Sequence, residues 1–211
     1  MSDLASLVSA IVEKSAEASR FMVAITGAPG SGKSTLAHNL RGELEGLGQS
    51  AIIVPMDGFH FDDSVLNARG HRPRKGAPFT FDAAGFEVIL KRIRVSAPGV
   101  AIPVFDRTME LARAGADMVE AETRIILVEG NYLLLREAPW SRLKTLFDLT
   151  VFIDVPRAEL QRRLVQRWLD HGFDLEYAHN WIASNDLLNI DTVIGGSAAA
   201  DVVLKQQPAR L

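Results

Sequence analysis

The chain has 211 residues, of which 47% are hydrophobic and 23% charged, with a formal net charge of −3 at pH 7 and no cysteine. This length suits one α/β domain, and the weakly acidic charge gives no reason to expect a nucleic-acid partner, because phosphate backbones are bound by basic surfaces. No apolar run approaches the ~20 residues of a membrane span, so no membrane insertion is predicted, and the absence of disulfides and thiolate metal sites fits a cytoplasmic location.

The first third of the chain predicts alternating helices and strands. Apolar residues at helical spacing predict an amphipathic helix within residues 1–20 that faces the core. Short apolar runs at 21–26 and 51–55 are typical of buried parallel strands. The stretch from Lys33 to Leu47 predicts a helix, and Gly48 is well placed to end it.

The middle of the chain opens with residues 57–82, which are rich in Gly, Pro, Asp and Arg and predict a long functional loop. A helix is predicted at 86–93 and a short extended segment at 100–105. Two further apolar runs, at 124–129 and 150–155, predict buried strands of the same kind as the first two.

The last part of the chain predicts a long charged helix after Pro156, another helix from about Leu175 to Leu188, and a final strand at 201–204. Buried strands that alternate with helices are typical of a mostly parallel sheet with helices on both faces. Such sheets bind ligands at the carboxyl ends of their strands. We therefore expect the polar residues that close these strands to gather at one edge.

The segment Gly27-Ala28-Pro29-Gly30-Ser31-Gly32-Lys33-Ser34-Thr35 is a complete phosphate-loop motif between a strand and a helix. Glycines let backbone N–H groups turn toward an anion, and the helix N-terminus adds positive charge. Lys33 is expected to contact the outer phosphates of ATP, and the Ser34 hydroxyl to ligate Mg²⁺. Thr35 stands where a dinucleotide fingerprint needs its third glycine, which disfavours hydride chemistry on a nicotinamide.

Two acidic residues close neighbouring strands. Glu129 is predicted to ligate Mg²⁺ directly or through a water, because hard cations take oxygen ligands; the alternative is a carboxylate that caps the strand end. Asp57 precedes Gly58 and is predicted to orient and deprotonate a hydroxyl nucleophile. An ordinary Asp-Gly turn is the alternative reading.

Two groups of basic residues complete the candidate site. Arg162, Arg163 and Arg167 lie on the helix after Pro156 and predict a lid that closes over ATP, although exposed arginines are common on solvated helices. The second group lies in the long loop and consists of Arg72, Arg74 and Lys75. This second group either binds an anionic acceptor or is solvated.

These motifs together resemble the family of P-loop kinases that includes uridine kinase, bacterial pantothenate kinase and phosphoribulokinase. The resemblance runs from Phe21 to about Leu204. Beside the phosphate loop it rests on the segments 56–60, 74–82, 103–107, 128–134 and 185–189. It implies a three-layer α/β/α P-loop fold, a five-stranded sheet of order 2-3-1-4-5, and a helical lid within residues 157–190. The whole chain, 1–211, is then a single kinase domain.

The resemblance also implies roles for individual residues. It implies ATP and Mg²⁺ as cofactors and a small molecule with a hydroxyl group as acceptor. Lys33, Asp57, Arg163 and Arg167 are the implied catalytic residues, and Arg162 joins the phosphate loop in binding ATP. The residues expected to contact the acceptor are Asp57, His60, Arg72, Arg74, Lys75, Phe105, Arg107, Asn131 and Tyr132.

One departure from the family leaves the acceptor open. Where pantothenate and uridine kinases have His or another characteristic residue after their Pro-x-Tyr segment, this chain has Phe105-Asp106-Arg107. Neither pantothenate nor uridine is therefore assumed, and a sugar, polyol, nucleoside, vitamin-like or anionic acceptor fits the sequence.

Two other functions also fit the sequence. A regulatory ATPase that acts on a protein partner would need the phosphate loop and Glu129 but no acceptor pocket. A nucleotide monophosphate kinase would use Arg72, Arg74 and Arg107 to bind the phosphate of its acceptor. The family resemblance leaves room for a homodimer.

Overall fold

The structure is a computed structural model that describes residues 4–95 and 99–206. The parts of the predicted N-terminal helix and of the predicted domain that fall on residues 1–3, 96–98 and 207–211 lie outside the described residues. The helices are α1 (Leu4–Ser15), α2 (Lys33–Gly46), α3 (Asp63–Ala68), α4 (Ala83–Arg94), α5 (Arg157–Asp170), α6 (Leu175–Trp181) and α7 (Leu187–Gly196). The strands are β1 (Phe21–Gly27), β2 (Ala51–Pro55), β3 (Val100–Asp106), β4 (Leu111–Val119), β5 (Ile125–Gly130), β6 (Leu149–Asp154) and β7 (Val202–Lys205).

The central sheet has five parallel strands in the order β2-β5-β1-β6-β7. Counted along the chain without the β3–β4 pair, this is the predicted order 2-3-1-4-5, so the predicted fold class is confirmed. Every residue of β1 and β5 is buried, as expected for strands covered by helices on both faces.

The strand register brings the candidate residues to one edge. Glu129 lies opposite Ile25 of β1 and opposite Pro55 of β2. The three strands therefore end at the same level, and the segments that follow them meet there. Gly27 closes β1, and Asp57 comes two residues after the end of β2.

Local sequence explains where several helices begin. The side chains of Asp62, Asp82 and Asp174 accept backbone N–H groups in the first turns of α3, α4 and α6, which satisfies donors that have no partner inside a helix. Helix α2 begins after Gly32, whose φ of 88° lies in the left-handed region that favours glycine. The helix therefore begins directly at the phosphate loop.

Two parts of the fold differ from the sequence predictions. The extended segment predicted at 100–105 is half of an antiparallel hairpin, β3–β4, which forms a separate two-stranded sheet. Strand β4 was not predicted because most of its residues are exposed and it lacks a buried apolar face. The helix predicted to end near Leu188 instead passes through a π-helical turn, Ile182–Asp186, and continues in α7 to Gly196.

The residues that the structure describes include no helix with the length and apolar character needed to cross a bilayer.

Candidate active site

The phosphate loop forms a cradle with an unsatisfied interior. Gly30 and Gly32 have φ values of 80° and 88°, which let the backbone turn around a central space. The Ser31 hydroxyl is buried and has no hydrogen-bond partner among the described residues. The Lys33 side chain is buried, and its Nζ donates a hydrogen bond to the Ala28 carbonyl oxygen over 3.1 Å. Burial lowers the pKa of this ammonium group. A buried cation beside a glycine-rich turn at a helix N-terminus fits an anionic ligand.

Ser34 and Glu129 form the candidate metal site beside the cradle. The Ser34 hydroxyl donates to Oε2 of Glu129 over 3.2 Å. Burial, and next the negative charge of Asp57, raise the pKa of the Glu129 carboxyl. A bound cation would therefore stabilise the ionised carboxylate, which burial and Asp57 disfavour. Within residues 4–95 and 99–206 no three or more His, Asp or Glu side chains could hold a metal by themselves. The two oxygen ligands therefore fit Mg²⁺ shared with phosphates and water.

Asp57 lies in a 3-10 turn, Met56–Phe59, that follows β2 and packs against the β3 strand. A Cβ atom on Gly58 would lie 2.3 Å from the carbonyl oxygen of Pro103, so only glycine permits this close approach. Oδ2 of Asp57 accepts a hydrogen bond from Nη2 of Arg107 over 2.9 Å. The Asp-Gly pair is thus a turn, and Asp57 lines the same cavity as the phosphate loop.

One cavity of about 910 Å³ joins the phosphate loop to the predicted acceptor residues. The predicted site residues that line it are Pro29, Gly30, Gly32, Lys33, Ser34, Thr35, Asp57, His60, Arg72, Lys75, Phe105, Arg107, Glu129, Asn131, Arg163 and Arg167. Those that do not line it are Gly27, Ala28, Ser31, Arg74, Tyr132 and Arg162. Most of the candidate site therefore comes together in one place.

Arg74 and Tyr132 are engaged inside the protein. Nε of Arg74 donates to Oδ1 of Asn185 over 3.1 Å, and Nη2 donates to Oδ1 of Asn189 over 3.2 Å. The Tyr132 hydroxyl donates to the Gly76 carbonyl over 2.5 Å. Both side chains tie the 57–82 loop to the rest of the domain. Their direct contact with an acceptor stays a prediction, and their positions favour support of the loop.

The three arginines of α5 differ in their surroundings. Arg162 and Arg163 both donate to Glu159, and these hydrogen bonds lower the pKa of that carboxyl to about 2. Nη1 of Arg163 also lies 3.4 Å from the Gly30 carbonyl, at the phosphate loop. Arg167 faces the cavity, whereas Arg162 lies on the outer side of the helix. Arg162 as an ATP-binding residue therefore stays a prediction without support from its position.

His60 and Phe105 line the part of the cavity where the acceptor is predicted. The His60 ring lies 3.9 Å from the Phe81 ring and 5.0 Å from the Phe105 ring, measured between centroids. Its Nδ1 lies 2.9 Å from the Asp57 carbonyl oxygen, which can only accept, so Nδ1 carries the proton. Burial lowers the pKa of the ring, so the imidazole is neutral at pH 7.

Sequence reasoning missed an aromatic wall on the lid side of the cavity. This aromatic wall consists of Trp168, Phe173, Tyr177 and Trp181. The Phe173 and Tyr177 rings stack with centroids 4.5 Å apart, and the Tyr177 and Trp181 rings are nearly parallel at 6.4 Å. The spacing of four residues between Tyr177 and Trp181 was the available signal, since such residues share one face of α6, whereas Phe173 precedes that helix.

Comparison with known proteins fits this arrangement. The family model described as Phosphoribulokinase / Uridine kinase family matches residues 22–209. A Schizosaccharomyces pombe protein named "Putative uridine kinase" is 33% identical over 196 residues, which are 89% of this chain and 83% of that protein. The chain therefore belongs to the phosphoribulokinase/uridine kinase family, a family of ATP-dependent small-molecule kinases.

Solved structures add two further likenesses. A Silicibacter protein described as a "putative fructose transport system kinase" has 41% sequence identity and a TM-score of 0.91, with 96% of this chain and 99% of that chain covered. YFH7 from Saccharomyces cerevisiae, a P-loop protein with a circular permutation, has a TM-score of 0.83 with 99% and 100% coverage. At 20% identity YFH7 supports the fold alone.

Proposed function

We propose that the protein transfers the γ-phosphoryl group of ATP to a hydroxyl group of a small-molecule acceptor. The observation that carries this proposal is the shared cavity, in which Asp57 faces the phosphate loop from the acceptor side. A phosphotransferase needs a phosphate-binding loop, a group that accepts the proton of the nucleophile, and room for the acceptor. The described residues supply all three.

The phosphate half holds ATP through backbone and buried side chains. The glycine backbone of the loop and the N-terminus of α2 would face the phosphate oxygens, and the Lys33 ammonium, which lines the cavity, would supply the positive charge. Ser34 and Glu129 would hold Mg²⁺, which when bound neutralises charge on the phosphates. A bound cation would favour the ionised form of Glu129, opposite to the effect of burial, which raises the pKa of this carboxyl.

The acceptor half supplies the base. The acceptor oxygen forms a bond to the γ-phosphorus while the bond from that phosphorus to the bridging oxygen of ADP breaks. Asp57 takes the hydroxyl proton and ADP leaves with the bridging oxygen. His60, held through Nδ1 by the Asp57 carbonyl, fixes the turn that carries this base.

Helix α5, the proposed lid, stabilises charge. Arg163 lies at the Gly30 carbonyl and Arg167 faces the cavity, so both guanidinium groups can approach the transferred phosphoryl group when α5 closes. We assign these two arginines, with Lys33, to electrostatic stabilisation of the transition state.

The two alternative functions fit the geometry less well. A regulatory ATPase needs no acceptor pocket, whereas here basic and aromatic side chains line a large cavity beyond the phosphate loop. A nucleotide monophosphate kinase would use Arg72, Arg74 and Arg107, but Arg72 is paired with Asp63 and Arg74 with two asparagines, which leaves only Arg107, in its exposed pair with Asp57, for an acceptor phosphate. A cytoplasmic location, where ATP and Mg²⁺ are abundant, belongs to the proposal. A homodimer and the absence of a nucleic-acid partner stay predictions.

A product assay tests the proposal. The protein is incubated with Mg-ATP and single acceptors from a panel of sugars, polyols, hydroxy acids, nucleosides, pantothenate and nucleoside monophosphates, and phosphorylated products are identified by mass spectrometry. We expect one class of hydroxyl compound to be phosphorylated. Phosphorylation of monophosphates alone would favour the monophosphate kinase, and ATP hydrolysis without any product would favour the regulatory ATPase.

A further inference from the structure

The carboxylate that the proposed function assigns as base already has a partner. Arg107 lies on the turn between β3 and β4, and its Nη2 donates to Oδ2 of Asp57 over 2.9 Å. The side chains of Arg107 and Asp57 are 56% and 28% exposed. Ion pairs with this much exposure are weak, so another anion that enters the cavity can compete for the guanidinium.

Most other cations of the acceptor side are compensated. Arg72 and Lys75 donate to the two oxygens of Asp63 over 2.7 Å and 2.8 Å. Arg167 donates no hydrogen bond within residues 4–95 and 99–206, and it lies close enough to Arg107 for the two charges to repel. Arg107, in its exposed ion pair with Asp57, and Arg167, which is attracted to Asp186 without a hydrogen bond to it among the described residues, are therefore less firmly paired than Arg72 and Lys75.

The reaction itself would neutralise the carboxylate that is hydrogen-bonded to Arg107. When Asp57 takes the hydroxyl proton it becomes neutral, and the guanidinium loses the anion with which it is directly paired. A negative group on the acceptor would restore the balance in the complex and during transfer. Arg107 has donors left for such a group, because one of its five N–H groups is used on Asp57. The guanidinium carbon of Arg107 also lies over the Phe105 ring, 5.9 Å from its centroid, which allows a cation–π contact.

We propose that Arg107 is a specificity-determining residue that binds a carboxylate or phosphate group of the acceptor. When Arg107 moves to that group, Asp57 is released to take the proton of the hydroxyl. Without acceptor, the ion pair keeps Asp57 from orienting water toward ATP and so limits hydrolysis. The acceptor is then a hydroxy acid or a phosphorylated sugar or polyol. This inference rests on the proposed function.

The first measurement is ADP release from Mg-ATP without acceptor. We expect Arg107→Gln to raise this background by about two- to fivefold, the rate factor of an exposed ion pair, and Asp57→Asn combined with Arg107→Gln to remove the increase. Arg113→Gln is the matched control, because Arg113 is 53% exposed on the same hairpin, pairs with Asp106 over 3.3 Å and does not line the cavity. If the rate of ADP release without acceptor is unchanged in Arg107→Gln, the claim that Arg107 restrains Asp57 is wrong.

The second measurement compares acceptors in matched pairs: glycerate with glycerol, gluconate with glucose, and fructose 6-phosphate with fructose. We expect the wild-type protein to prefer an acidic member by about tenfold or more in kcat/KM, the scale of one charge-assisted contact. Arg107→Gln should lose this preference through a higher KM, and Arg113→Gln should keep it. The carboxylate and phosphate pairs show which anion is bound.

The outcomes separate the two proposals. Preference for a neutral member, or an acidic preference that survives Arg107→Gln, overturns the role of Arg107 and leaves the kinase intact. If no compound of the panel is phosphorylated, the ADP release without acceptor in Arg107→Gln and in the wild-type protein decides whether Arg107 restrains Asp57. If neither the wild-type protein nor any variant binds or turns over Mg-ATP, the proposed function is wrong and the role of Arg107 falls with it.

Discussion

The phosphate half and the acceptor half of the cavity are built in different ways. The phosphate half comes from one continuous segment, 27–35, together with the end of β5, and its key groups are backbone amides and buried side chains. The acceptor half comes from the 57–82 loop, the β3–β4 hairpin and the lid helices, whose charged side chains pair with one another. The half proposed to bind ATP is therefore built largely from backbone, whereas the half proposed to bind the acceptor depends on pairs of charged side chains.

The largest effect is expected from loss of the buried cation of the phosphate half. Lys33→Ala should lower kcat by about 10³-fold, at the upper end for a single electrostatic stabiliser, when ADP release is measured at saturating acceptor. Because burial lowers the pKa of Lys33, its removal should not reduce the melting temperature without ATP. Lys205→Ala, at the end of β7, is the control. An equal loss of kcat in both variants would contradict the importance of Lys33 for the phosphate half.

A smaller effect is expected where the two halves meet. Gly58→Ala would place a Cβ atom 2.3 Å from the Pro103 carbonyl and force the Asp57 turn away from the hairpin. We expect a loss of about 1–3 kcal/mol in unfolding free energy, together with a fall in acceptor-dependent kcat and little change in ATP binding. Urea unfolding and ATP titration check this.

Gly42→Ala is the matched control for that variant. Gly42 lies inside α2, and a Cβ atom there would meet nothing within 4 Å. Alanine is favoured over glycine in a helix interior, so this variant should gain up to about 1 kcal/mol. A stable, fully active Gly58→Ala protein would show that the turn does not depend on the close approach.

The lid should respond to acid through Glu159. Hydrogen bonds from Arg162 and Arg163 lower the pKa of this carboxyl to about 2, whereas an unfolded Glu titrates near ~4.3. Its stabilising contribution is therefore present at neutral pH and lost as the pH falls through 4 toward 2. Glu159→Gln should lower Tm at pH 7, and the difference from the wild-type protein should shrink over that range. A difference independent of pH would contradict this assignment.

The sequence predicted the two halves unequally. The phosphate loop and Glu129 follow from local pattern, the strand order follows from the family resemblance, and the structure agrees with that order and brings the loop and Glu129 together. The hydrogen bond from Arg107 to Asp57 joins residues 50 positions apart, and nothing in the pattern predicts it. Strand β4 lacks the buried apolar face that a sequence pattern would reveal. The side chain of Arg74 donates to residues of the π-helical turn and of α7, which lie more than 100 positions away. Long-range side-chain pairs of this kind depend on tertiary structure.

The smallest effect is expected for a residue that supports the acceptor loop from the core. Tyr132→Phe removes the hydroxyl that donates to the Gly76 carbonyl and should cost about 1 kcal/mol of unfolding free energy. The KM for the acceptor should rise more than the KM for ATP. Tyr177→Phe removes a hydroxyl that makes no hydrogen bond among the described residues and should change stability by less than about 0.5 kcal/mol. Equal effects of the two variants would remove Tyr132 from this role.

The most direct test of the account is the acceptor-dependent rate of ADP release in the wild-type protein and in Asp57→Asn, with Asp62→Asn as the control on the same loop. The account predicts that the acceptor-dependent rate of Asp57→Asn falls by about 10²–10⁴-fold, while this variant binds Mg-ATP as the wild-type protein does. Asp62→Asn should keep a rate near that of the wild-type protein. An acceptor-dependent rate that survives in Asp57→Asn would show that the acceptor half does not supply the base, and would contradict the central claim.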